Sequence, residues 1–234
     1  MSNSAPQAGG VLAWAWRPGA LLYLVGLLAA LAAGLWADAV FPLRSGTGRA
    51  TLPTLKALAV AQAAFILLIH PLVLARRAAR AGGGAYWCAC AVESGVMLAV
   101  AVPFYAAAGW LADAVWTDCL RLAIAVAMLW PVAWSAGRAM AGGRVPSAAL
   151  VVLWTAAVGL PWAYYVAREF VPSWSGAGVL WLLGPVTFVW DAAASRGQTW
   201  WPQPIWPILV WLAFAAALGL LATRGHGKRA GDRL

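Results

Sequence analysis

Few side chains in this 234-residue sequence could do chemistry, and their spacing argues against most of it. Cys88-x-Cys90 has the form of a metal pair, but alanines surround it, and small apolar helix residues describe it better. With Cys119 the cysteine count is odd, which gives no disulfide framework. The two histidines, His70 and His226, do not supply the axial ligands of a b-type haem held between helices. His226 sits in a charged tail, and His70 precedes Pro71 at what reads as a helix end, where a capping or interface role is expected. No paired carboxylates, Ser/His/Asp set or H-E-x-x-H sequence falls in the apolar regions. Gly227-Lys228 is followed by Arg229, and Ala222 stands where the first glycine of a phosphate loop would be. No catalytic, cofactor-binding or metal-binding residue is therefore expected. The exception to this bland inventory is Glu93, an acid inside an apolar segment, where a carboxylate is expensive and points to function. Arg76, Arg77 and Arg80, in the adjoining loop, are its candidate partners, and the alternative is a carboxylate that simply reaches interfacial water.

The elements that must position these residues are six apolar segments, at 19–40, 55–74, 87–111, 120–136, 147–166 and 205–222. Each is close to the roughly 20 residues a helix needs to cross the hydrocarbon core. A chain that is 64% hydrophobic and 10% charged, divided in this way, is an all-α polytopic membrane protein. With the N-terminus in the cytoplasm, Arg17, Arg76, Arg77, Arg80, Arg138, Arg144, Arg224, Lys228, Arg229 and Arg233 fall inside. Arg44, Arg49, Lys56, Arg121, Arg168 and Arg196 fall outside, with most of the acids. The positive-inside bias thus predicts both termini in the cytoplasm.

The net charge of +9 does not indicate a nucleic-acid partner. It is scattered over short membrane-flanking loops, where it serves topology and attraction to anionic lipid. The 17 tryptophans fall mainly at the ends of the apolar segments, as expected of indoles settling at the headgroup level. Ala37-Asp38-Ala39 has the look of a signal-peptidase site. The first segment is longer than a signal h-region and is preceded by Arg17 alone, so it reads as a retained helix.

Along the chain, residues 1–18 form a cytoplasmic N-terminus in which Trp14, Trp16 and Arg17 belong to a short interfacial helix stopped by Pro18-Gly19. The six-helix domain covers 19–222, and a basic tail covers 223–234. Between the second and third segments, Arg76, Arg77 and Arg80 share one basic helical face before three glycines break it. Pro103 is expected to kink the third helix, and the short connection at 112–118 to make an antiparallel hairpin. Residues 174–192 are apolar but short, and Gly184-Pro185 interrupts them. A crossing there would place the basic tail outside, so this stretch is expected to be a broken re-entrant or interfacial segment on the outer face.

The layout resembles the ABC-2 type permease of ATP-binding-cassette transporters. The resemblance is strongest at Leu182-Leu183-Gly184-Pro185-Val186-Thr187-Phe188-Val189-Trp190-Asp191, similar to the L-x-P-hydrophobic stretch those permeases carry before their last helix. Trp206-Pro207, leading into an apolar helix with a basic end, is also similar. The resemblance implies a permease subunit of an exporter in the bacterial cytoplasmic membrane, surrounded by lipid and paired with a second permease chain. It also implies a separate ATPase subunit that docks at Arg76, Arg77 and Arg80, with Trp16 and Arg17 nearby. Gly184, Pro185 and Asp191 would then belong to an outer gate. The family's segment after the second helix is usually longer and carries acids, which 76–84 lacks. A non-transporting structural or assembly subunit of a larger membrane complex is the alternative.

Overall fold

The computed structural model describes residues 18–40, 53–78, 83–111, 114–141, 146–171, 173–174, 176–194, 202 and 205–231. The expected interfacial helix with Trp14, Trp16 and Arg17 lies outside the described residues, as do Arg80 and Arg144. All secondary structure among the described residues is helical. Helix α1 is Pro18–Val40, α2 covers 53–78, and α3 is Gly83–Leu111. Helix α4 is Trp116–Ala141 and α5 covers 146–170. Two short helices follow, α6 at Ala177–Leu183 and α7 at Pro185–Ala194, and α8 is Trp206–Gly231.

Helices α1 to α5 each contain a run long and apolar enough to cross a membrane. The apolar part of α8, Trp206–Leu220, is shorter. Burial separates the five. The apolar runs of α2 and α4 are each 56% buried, against 28%, 28% and 17% for α1, α3 and α5. The pair α2 and α4 is therefore the centre, and the other three present apolar flanks outward.

Three expected boundaries move, and one of them is at the C-terminal end, where α8 continues to Gly231 through most of the stretch that reads as a basic tail. Helix α2 does not end at His70-Pro71 but continues to Ala78, through a π-turn at Phe65–Ile69. Helix α4 starts at Trp116 and runs to Ala141, which adds Asp118 and Arg138 to the segment that already held Arg121. Proline accounts for much of the irregularity. The π-turn in α2 closes just before His70-Pro71, and that in α5, at Thr155–Gly159, just before Leu160-Pro161. A proline ring collides with the carbonyl four residues back, and a wider turn ahead of it gives that carbonyl room. In α4 the helix is interrupted at Met128–Leu129, again just before a proline, Pro131. Pro103 sits within the continuous helix α3.

Close packing depends on small residues at two crossings. Gly34 of α1 lies so near the Thr54 backbone that a Cβ would overlap it. Gly109 of α3 meets Cys119 of α4 in the same way, with 2.6 Å available. The second contact holds the expected α3/α4 hairpin together beside its connection. The core is continuous, with Leu58, Ile66, Leu67, Leu122, Trp130, Val132, Leu153 and Val189 all buried.

Candidate functional site

The break at Gly184 has a local cause. Its backbone is extended (φ −67°, ψ 118°), ending α6, and Pro185 begins α7 with the φ that a first helical residue needs. The Thr187 hydroxyl turns back and hydrogen-bonds the Gly184 carbonyl at 2.9 Å and also the Trp181 carbonyl. A Cβ at residue 184 would overlap that hydroxyl, so glycine suits this corner as long as Thr187 is in place.

Three longer helices grip the broken pair. Trp211 of α8 donates its indole N–H to the Leu183 carbonyl at 3.0 Å, satisfying a group left open at the end of α6. Lys56 of α2 stands 4.6 Å from the centre of the Trp190 ring of α7. Arg121 of α4 donates through Nε to the Ala192 carbonyl at 3.0 Å and through Nη2 to Asp118 Oδ1 at 2.7 Å. Arg121 and Asp118 are both buried. A guanidinium at the carbonyl end of α7 also faces the negative end of that helix dipole. Within the pair, the Trp181 indole donates to Asp191 Oδ2 at 2.6 Å. Burial pushes the Asp191 carboxyl above the usual carboxylate range, opposed by this hydrogen bond and by the Lys56 charge.

Of the expected gate residues, Gly184, Pro185 and Asp191 thus lie on one short broken segment. The residues that hold it, Lys56, Asp118, Arg121 and Trp211, were not singled out from the sequence. The available signal was Asp118-x-x-Arg121, an opposite-charge pair at i, i+3 on the edge of an apolar run.

Glu93 is buried in α3, and among its neighbours is His70, with Nε2 4.0 Å from Oε1. The expected partner Arg76 is exposed, and the side chains of Arg77 and Arg80 lie outside the described residues. His70 is likewise no helix-end cap: it is mid-helix, 1% exposed, with its ring set edge-to-face against Trp130 at 4.8 Å. One residue beyond Glu93, Ser94 accepts the Trp134 indole N–H at 3.0 Å. Nearer the Arg76 end, Arg138 caps α2 by donating to the Ala78 carbonyl at 2.9 Å, and lies 5.6 Å from the Tyr86 ring centre. A basic residue expected in a loop is therefore a buried helix cap.

A second polar chain joins α1, α2 and α3. The Tyr105 hydroxyl donates to the Gln62 side-chain oxygen. The Gln62 amide donates to Tyr23 at 2.6 Å, and Tyr23 donates to the Met97 carbonyl at 3.2 Å. Each side-chain group in it is satisfied, which is what a chain buried among apolar helices requires.

Cys88 is exposed and Cys90 buried, as residues two apart on a helix must diverge, so the two do not form a metal pair. Among the described residues no three His, Cys, Asp or Glu side chains converge on a point. Trp16, Arg17 and Arg80 are not described, so Arg76 at the end of α2 is the described member of the expected docking face. Compared with protein-family models, with curated proteins and with solved structures, the chain matches none.

Proposed function

We propose that this chain is the membrane-spanning permease subunit of an ABC-type exporter in the bacterial cytoplasmic membrane. It pairs with a second permease chain and takes its energy from a separate ATPase subunit. The observation that carries the reading is the broken helix pair α6/α7, placed between α5 and α8 and tied to α2, α4 and α8. A short segment that interrupts the run of long helices, yet is bonded to the two most buried of them, is suited to closing one end of a pathway between helices. In this reading α8 is the sixth crossing, its apolar part completed by neighbouring chain. In this reading the basic residues at the Arg76 end of α2 and at the C-terminal end of α8 lie on the cytoplasmic side, and α6/α7 on the opposite side. Arg76, Arg77 and Arg80, with Trp16 and Arg17, form the surface for the ATPase, and Gly184, Pro185 and Asp191 belong to the outer gate.

The test is isolation of the tagged protein from its native membrane in mild detergent, with its partners identified. The reading expects a nucleotide-binding ATPase in stoichiometric amount. Repeated recovery of other membrane subunits with no ATPase would replace the permease with an assembly role.

A further inference from the structure

We infer that the breaks in α2, α4 and α5 form one hinge level across the middle of the molecule, on which the half carrying α6 and α7 tilts against the other half. The inference does not rest on the transport reading. The breaks are the π-turn Phe65–Ile69, the interruption at Met128–Leu129 and the π-turn Thr155–Gly159. Each contains or adjoins the midpoint of its apolar run. Each is followed, two residues on, by a proline: Pro71, Pro131 or Pro161.

Packing shows that the three breaks share a level. Ahead of its π-turn, the Pro53–Ala64 part of α2 packs on α7 and on the Trp116–Ala127 part of α4, which itself packs on α7. The part of α5 beyond its π-turn, Leu160–Phe170, packs on α6. In the other half, His70–Ala78 of α2 packs on Trp130–Ala141 of α4, which packs on Pro146–Trp154 of α5. The polar ties fall into the same two groups. Arg121 holds the Ala192 carbonyl and Lys56 lies over Trp190 in the first, and Arg138 holds the Ala78 carbonyl in the second. Between the halves lie Ile66, Leu67, Leu129, Leu153 and Ala156, all buried. Such apolar contacts have no direction and tolerate a small tilt.

A regular helix bends at high cost in lipid, because a backbone bond opened there finds no water. Bending therefore concentrates where the regular ladder is already altered, at π-turns and ahead of prolines. In α4 the Leu129 N–H bonds the Val126 carbonyl, one residue short of the helical spacing. One further group marks the level. The Trp130 indole N–H is buried, and no acceptor for it is found among the described residues. Buried donors are almost always paired, so this one favours a second arrangement that brings it a carbonyl. Helix α8 packs on Trp130–Ala141 and holds the Leu183 carbonyl through Trp211, so it braces the two halves against each other.

Nitroxide labels at Leu72, Val151, Leu120 and Trp162, all exposed positions, test this in lipid nanodiscs with a chain lacking Cys88, Cys90 and Cys119. Leu72 and Val151 lie on one half, Leu120 and Trp162 on the other. Pulsed-EPR distance distributions should be narrow for the pairs Leu72/Val151 and Leu120/Trp162. Those for Leu72/Leu120 and Val151/Trp162 should be wider by at least about 1–2 Å, the scale of helix shifts in switching proteins. Pro161→Ala, which restores a backbone N–H to α5, should narrow the Leu72/Leu120 distribution although neither label is on α5. Equal widths for all four pairs overturn the proposal, as does a Pro161→Ala effect confined to Val151/Trp162. If Pro161→Ala does not fold, Pro131→Ala in α4 is read through Val151/Trp162 in the same way. An unchanged width there is again a refutation.

Discussion

Arg121 and Ala192 lie 71 residues apart in sequence, yet the guanidinium Nε of one donates to the backbone carbonyl of the other at 3.0 Å. That contact ties the last turn of α7 to the first turns of α4. Because Arg121 is buried and neutralised by Asp118, the two charges and the helix end form one unit. Breaking such a pair by removing one partner leaves an uncompensated buried charge, which costs about 3–5 kcal/mol. Arg121→Met should therefore destabilise the protein by that order in reversible unfolding from mixed micelles. The double variant Arg121→Met/Asp118→Leu should recover most of the loss. A double variant no better than the single would show that the pair is not a unit.

Gly184 is the corner of the broken segment, and a methyl group there meets the Thr187 hydroxyl. Gly184→Ala should cost about 1–3 kcal/mol, the range for an overpacked site. Thr187→Ala in the same chain should relieve part of it, despite losing its own hydrogen bonds. Thermal unfolding of the four proteins measures the coupling, and strict additivity would contradict the clash.

Asp191 gives a pH dependence with a definite sign. Burial raises its carboxyl in the folded state, so the folded protein holds that proton more tightly than the unfolded chain does. The charged form is then a liability at neutral pH, and it vanishes as pH falls through the raised value. Asp191→Asn keeps an oxygen to accept from Trp181. The variant should be at least as stable as the parent at neutral pH, and any advantage should shrink toward acid. An advantage that grows on acidification would reverse the assignment.

The proposed ATPase surface makes a separate prediction. Replacement of Arg76, Arg77 and Arg80 by Gln should leave insertion and thermal stability near the parent's, since the described member, Arg76, is exposed. It should reduce ATPase co-purification severalfold. Undiminished recovery of the ATPase would remove these residues from the interface.

The all-helical, membrane-spanning character, the break at Gly184-Pro185 and the unusual placing of an acid at Glu93 were legible in the sequence because each has a local cause. Apolar run length sets the first, backbone preference the second and the cost of a carboxylate the third. The boundaries of α2 and α4 were not legible. Pro71 reads as a stop unless a π-turn widens the helix ahead of it, and that depends on what surrounds it. Arg121 and Arg138 read as flanking charges because counting basic residues cannot show that one finds Asp118 and Ala192 and the other Ala78. Burial of a charge is decided by partners distant in sequence. The His70–Glu93 contact is of the same kind: packing of α2 on α3 brings in a histidine that sequence proximity does not single out.

The most direct measurement concerns the broken segment itself. Single cysteines at Ser173, Ser195 and Gly227, in a chain lacking Cys88, Cys90 and Cys119, are exposed to a membrane-impermeant thiol reagent in intact cells. If α6 and α7 enter and leave on one face, positions 173 and 195 label from outside, and 227 labels only after the membrane is opened. Labelling of 173 and 195 from opposite sides, or of 227 in intact cells, would contradict the six-crossing arrangement, and the permease reading would fall with it.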